Sequence, residues 1–133
     1  MKTETVLNLG GKNVTLTICP DEHVRRRYRI IASIGGTQVG YCALKPSKND
    51  FTRGYRITNY VVYSYNGAGI GWEMVCFFEA WIGKPVVPSG MFGATGKLTN
   101  AGKAAAIKRL RKTKPTWLPE NWEAEAESYS VSL

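Results

Sequence analysis

The chain has little with which to build a redox, metal or hydrolytic centre. Its 133 residues include one histidine, His23, and three cysteines, Cys19, Cys42 and Cys76. An odd number of cysteines at wide spacing argues against a disulfide framework and for a reducing compartment, here read as the cytoplasm. Cys19 and His23 are the one Cys/His pair close in sequence, and structural zinc takes four such ligands, so no metal is expected. Spacing supports no Ser-His-Asp or Cys-His arrangement either. Long apolar runs are also missing. The opening residues lack the apolar core of a signal peptide. The richest apolar stretch, residues 68–82, is interrupted by Glu73 and Glu79 and falls short of the ~18 residues that span a bilayer. No membrane association is expected, and no internal repeat is visible.

Negative charge is scarce in the body and positive charge is absent from the end. Residues 1–114 hold all eighteen Lys and Arg against six carboxylates, a net of +12. Residues 115–133 hold Glu120, Glu123, Glu125 and Glu127 with no Lys or Arg, a net of −4. A basic body with an acidic tail favours an anionic ligand, whether nucleic acid, phosphorylated cofactor or acidic protein. With 44% apolar and 21% charged residues the composition is that of a globular protein, and this length suits one domain. The division expected is a domain over 1–114 and an acidic, Trp-containing tail over 115–133. The tail is expected to fold back on the body.

Apolar periodicity and turn residues order the elements. Val6 and Leu7, the turn-rich Gly10-Gly11-Lys12-Asn13, and alternating Val14, Leu16 and Ile18 read as a hairpin. A strand is expected over 24–33 with Arg25, Arg27 and Arg29 on one face. Gly35-Gly36 turns the chain into a strand with Val39, Tyr41 and Ala43, residues 46–54 are loop chemistry, and 55–63 is a β-branched and aromatic strand. A helix follows over 70–83, with Ile70, Met74, Phe77, Phe78, Trp81 and Ile82 at helical spacing and Gly83 as its C-terminal cap. Its aromatic run, with Trp72, is expected in the core. Val86 and Val87 make a short strand. A last helix starts at Thr99 or Asn100 and carries six Lys or Arg from Lys103 to Lys114 before Pro115 stops it. The reading is four strands, a glycine loop, a helix, a short strand and a helix: α+β with a mainly antiparallel sheet.

The sharpest local feature is a strand, then Asn66-Gly67-Ala68-Gly69-Ile70-Gly71, then a helix. Glycines at such a junction let the backbone approach a ligand closely. The first helical turn adds unpaired N–H donors and a partial positive charge, so the arrangement suits phosphate or pyrophosphate. The alternative is a tight turn where the helix meets the sheet. The GxGxG spacing is not the dinucleotide-binding GxGxxG, and Gly90–Lys97 misses the P-loop pattern, with Leu98 after its lysine.

Residues 55–83 resemble the acyl-CoA-binding core of the GNAT-type N-acetyltransferases, whose pattern is Arg/Gln-x-x-Gly-x-Gly/Ala at the start of a central helix. Gly69 and Gly71 fall on the two small positions and Asn66 on the Arg/Gln position, where it is shorter and uncharged. The later Val-Val strand and LTNAGKAAAIKRL are similar to small phage-encoded members. The resemblance implies a GNAT-like mixed sheet with a central helix after the glycine loop and a C-terminal helix. It implies acetyl-CoA as acyl donor, its pyrophosphate on the backbone of Asn66, Gly67, Ala68, Gly69, Ile70 and Gly71, and its pantetheine along Val61, Val62 and Tyr63. The acceptor would be an amine on a protein or small molecule. The usual N-terminal helix pair is reduced or missing.

Acetyl transfer from a thioester needs a neutral amine, an oxyanion donor and a route for the proton. His23 has a suitable unperturbed pKa, and its place after Pro20-Asp21-Glu22 also suits an ordinary surface residue. Glu79 serves as a base only if it faces the cleft, and Tyr63, Tyr65 and Tyr129 are the candidate acids for the leaving thiolate. The other reading is a non-enzymatic module that binds nucleic acid or a host protein through a basic face made of Arg25, Arg27, Arg29, Lys108, Arg109 and Arg111.

Overall fold

The computed structural model describes residues 3–48, 53–62, 69–92 and 97–131. Five strands, β1 (Thr3–Leu9), β2 (Lys12–Pro20), β3 (Tyr28–Ile34), β4 (Thr37–Lys48) and β5 (Arg53–Val62), form one antiparallel sheet in sequence order. Three helices follow, α1 (Ile70–Ile82), α2 (Asn100–Thr113) and α3 (Trp122–Ser128). The fold is α+β. Five strands replace the expected four because the opening hairpin supplies two full strands. The residues divide into two compact units, Met1–Pro46 with Ile57–Lys84, and Ser47–Arg56 with Pro85–Leu133.

The first unit follows from two glycine pairs. Gly10-Gly11 and Gly35-Gly36 all have positive φ, as a two-residue type I′ hairpin requires, and they fix the register Leu9↔Lys12 and Ile34↔Thr37. That register puts Leu16 beside Ala32 and Ile18 beside Ile30, which in turn lies beside Cys42. These side chains form one buried sheet face. The other face carries Thr15, Thr17, Arg29, Ile31 and Tyr41, all at least partly exposed, as expected of an antiparallel sheet with one wet side.

α1 packs on β2 and β3. Its buried stripe is Ile70, Met74, Val75 and Phe78, each large side chain worth ~1.5–3 kcal/mol when removed from water. Gly40 of β4 makes room for this packing. A Cβ there would lie 3.4 Å from Ala32, from Ile70 and from Met74. Of the aromatic run expected in the core, Phe78 is fully buried, Trp72 and Phe77 are half-buried, and Trp81 is 39% exposed. Gly83 caps the helix in the left-handed conformation, its N–H donating to Glu79 O at 3.0 Å.

The basic strand is shorter than alternation predicts. β3 begins at Tyr28, so Arg25 and Arg27 lie in the β2–β3 connection and Arg29 alone of the stripe is on a strand. Asp21 is the cause. Its Oδ1 accepts from the N–H groups of His23 (2.8 Å) and Val24 (3.0 Å), and its own N–H donates to Arg27 O (2.8 Å). These bonds close residues 21–27 into a loop and take them out of the ladder. β4 and β5, by contrast, extend into the expected 46–54 loop.

The second unit has its own core of Val87, Met91, Phe92, Ile107, Leu110 and Ala126. The acidic tail is part of it, with Trp117, Leu118, Trp122 and Tyr129 packed against that cluster. Phe92 sits at φ 51, an unfavourable value for a bulky residue. Its ring is held edge-on by Trp117 (5.7 Å) and Tyr129 (5.8 Å), and its N–H donates to the Tyr129 hydroxyl at 2.9 Å. Thr99 caps α2 by accepting from Gly102 N–H at 3.1 Å. Lys103 Nζ donates to the Glu127 and Tyr129 carbonyls, and Arg111 pairs with Glu123. That ion pair is exposed and screened by solvent, so apolar packing does most of the docking.

Tyr129 should therefore be the tail's main attachment. Tyr129→Phe is expected to lower stability by about 1 kcal/mol and Tyr129→Ala by about 3 kcal/mol or more, read from denaturant unfolding. Deletion of residues 115–133 should lower the Tm; an unchanged Tm would show the tail to be dispensable.

Candidate functional site

Helix α1 presents its N-terminus through a residue that only glycine fills comfortably. Gly69 has φ 84 and ψ 15, offers no side-chain cap, and starts the helix by accepting from Glu73 N–H at 2.9 Å. The backbone N–H groups of Ile70 and Gly71 have no acceptor within the helix, as at any helix start. Nothing lies within 4 Å of a Cβ built at Gly69, so a side chain there would start in open space, while Ile70 and Gly71 behind it are buried. Ile70 and Met74 pin this end to the sheet face at Gly40. Glu73 in the first turn adds a negative charge that interacts favourably with the helix dipole. Val61, near the end of β5, is 36% exposed. Tyr63, Tyr65, Asn66, Gly67 and Ala68 lie outside the described residues, and so does the side chain of Val62.

The segment after α1 runs parallel to the start of β5. Tyr55 N–H donates to Pro85 O and Val87 N–H to Tyr55 O, both at 2.8 Å, so Val86 bridges Tyr55 in parallel. Gly54 permits the approach, since a Cβ there would collide with the Pro85 carbonyl oxygen. Arg109 braces the same segment. It is 7% exposed, and its Nη2 donates to Val86 O at 2.8 Å.

The other candidates belong to other elements or to the far end of α1. His23 is exposed in the β2–β3 loop, its N–H held by Asp21. Glu79 lies toward the far end of α1, and a rise of about 1.5 Å per residue separates it from Ile70 by roughly 13 Å along the axis. Tyr129 holds Phe92 in the second unit. Of the residues assigned to a basic face, Lys108 is exposed, Arg111 is tied to Glu123, and buried Arg109 is a structural residue of the second unit. Arg111, Lys114, Leu118 and Trp122 also line a shallow groove of about 540 Å³ with charges of both signs at its rim. Among the described residues no cluster of three or more His, Cys, Asp and Glu could hold a metal, and no helix is long and apolar enough to cross a membrane.

Two features escaped the sequence pattern. Arg26 adopts φ 63, which nothing in a run of arginines announces. Trp81 lies on the apolar stripe of α1, and helical spacing alone does not say which end of a stripe overhangs the sheet. No family, no curated protein and no solved structure matches the chain.

The Asp21 contacts make a prediction in pH. The two backbone N–H groups of His23 and Val24 hold its carboxyl below the usual 3.8. A carboxyl depressed in the folded state stabilises above its unfolded pKa, and the contribution is lost as pH falls through the folded value. Wild type should thus melt above Asp21→Ala at neutral pH, and the gap in Tm should close as the pH is taken below 3.8. A gap that persists in acid would contradict the assignment.

Proposed function

We propose that the chain is an acyl-CoA-dependent N-acyltransferase of GNAT-like architecture, moving an acetyl group from acetyl-CoA to an amine on a protein or small molecule. The observation that carries the reading is the order β5, α1, then a segment parallel with the start of β5, with a left-handed glycine opening the helix. An anion at that start would meet the partial positive charge of the helix and the amides of Ile70 and Gly71. The open space beside Gly69 supports the reading. On this reading pantetheine runs beside Val61 and Val62, and the pyrophosphate takes the backbone of residues 66–71.

In the reaction the amine nitrogen attacks the thioester carbonyl, the new C–N bond forms and the C–S bond breaks. The ammonium proton must leave and the thiolate must gain one. Backbone N–H groups stabilise the oxyanion. For proton transfer Tyr63 and Tyr65 are the candidates nearest in sequence to the helix start. Glu79, toward the opposite end of α1, is the poorer one.

Isothermal titration with acetyl-CoA and CoA tests the donor site, and release of free thiol in the presence of an amine panel tests the chemistry. Saturable binding of both is expected. Gly69→Asn, which tolerates the left-handed backbone, should keep the fold, whereas Gly69→Trp should abolish binding by filling the approach. Absence of heat at millimolar ligand would sink the proposal.

A further inference from the structure

We propose that the β2–β3 loop and the aromatic pair beside it bind single-stranded nucleic acid, Arg25, Arg26 and Arg27 holding phosphates and Trp81 stacking on a base. The inference stands apart from the CoA reading, which uses the other end of α1.

The loop holds its three exposed arginines on a constrained backbone. Asp21 ties down both arms of the loop through His23, Val24 and Arg27, and within it Arg26 takes a left-handed φ of 63 that disfavours any residue with a Cβ. Arg25, Arg26 and Arg27 are all exposed, and among the described residues none forms an ion pair. Three consecutive cationic residues concentrate positive charge on one loop, which a polyanion would offset. Lys84 is exposed just beyond α1, and Lys45 follows Leu44, the partner of Tyr28 in the ladder. The carboxylates nearby in sequence are Asp21, whose Oδ1 accepts two backbone N–H bonds and whose charge attracts Arg27, and Glu22.

Tyr28 follows the loop directly. Its ring centroid lies 5.2 Å from that of Trp81 at 77°, an edge-on contact that fixes the indole while 39% of the residue remains exposed. Phe78 supports both rings from the core, at 5.5 and 6.2 Å. Cations that track a backbone next to a fixed aromatic ring are what unspecific single-strand binding requires, because every base has a face that stacks. A duplex buries its bases and leaves Trp81 without a partner. A membrane surface would call for a broad apolar face, and here the exposed large apolar residues are Val24 and Trp81.

Fluorescence anisotropy of a short labelled oligo(dT), titrated with the intact chain over a range of salt, tests this. Binding should weaken with salt, and tryptophan emission should be quenched. Arg26→Gly suits its backbone angle, so it should leave the Tm unchanged or higher. It should nonetheless weaken binding severalfold and flatten the log–log salt slope by about 0.7, the value of one single-strand phosphate contact. Trp81→Leu should weaken binding by about tenfold and remove most of the quenching. No anisotropy change at low salt overturns the proposal, as do affinities that both variants leave intact. Equal affinity for duplex, or tighter binding to phosphatidylserine vesicles than to oligo(dT), overturns it in favour of a phosphate-only or a membrane contact. Loss of CoA binding with oligo(dT) binding retained would reject only the acyltransferase reading.

Discussion

The seating of α1 on the sheet governs everything else in the first unit. Ile70, Met74 and Phe78 recur every four residues and enter the face formed by Leu16, Ile18, Ile30, Ala32 and Cys42, with Gly40 allowing the close approach. Once that stripe is buried the helix can neither rotate nor slide without exposing a large side chain or overpacking Gly40. Its two ends are fixed in consequence. One end carries the exposed, left-handed Gly69; the other lays Trp81 against Tyr28 at the start of β3. The two proposed binding surfaces are the two ends of one helix.

Charge is handled differently in each unit. In the second, the acidic tail meets the basic helix through an exposed Arg111–Glu123 pair and carbonyls that accept from Lys103, while buried Arg109 is bonded to Val86 instead. The aromatic packing around Phe92 does more, holding that residue at a φ it would not adopt alone. In the first unit the Arg25–Arg27 cations have no such ion pairs among the described residues. The net +12 read from residues 1–114 is thus not one property: part of it is structural, and part is presented to solvent on a constrained loop.

A helix start with a left-handed glycine and a parallel return segment is compatible with many functions, since folds host chemistry without dictating it. What favours acyl transfer is the conjunction of that geometry with the YNGAGIG run. The parallel Tyr55–Val86 bridge made possible by Gly54 adds to it.

Local chemistry determined much of the fold from the sequence alone. Paired glycines specify type I′ turns, a four-residue apolar stripe specifies a helix and its buried face, and Thr99, Gly83 and Pro115 mark helix ends because each meets a backbone need at its own position. The glycine-run motif was equally legible, as was a tail suited to docking. Tertiary structure decided the rest, where one residue's bonding overrides its neighbours' pattern. Asp21 diverts Arg25 and Arg27 from a strand into a loop, although their alternation reads as β. Packing order buries Arg109 and leaves Trp81 partly in solvent, although both belong to patterns that assign them the reverse. Periodicity records which residues share a face; only the partner elements decide how much of that face is covered.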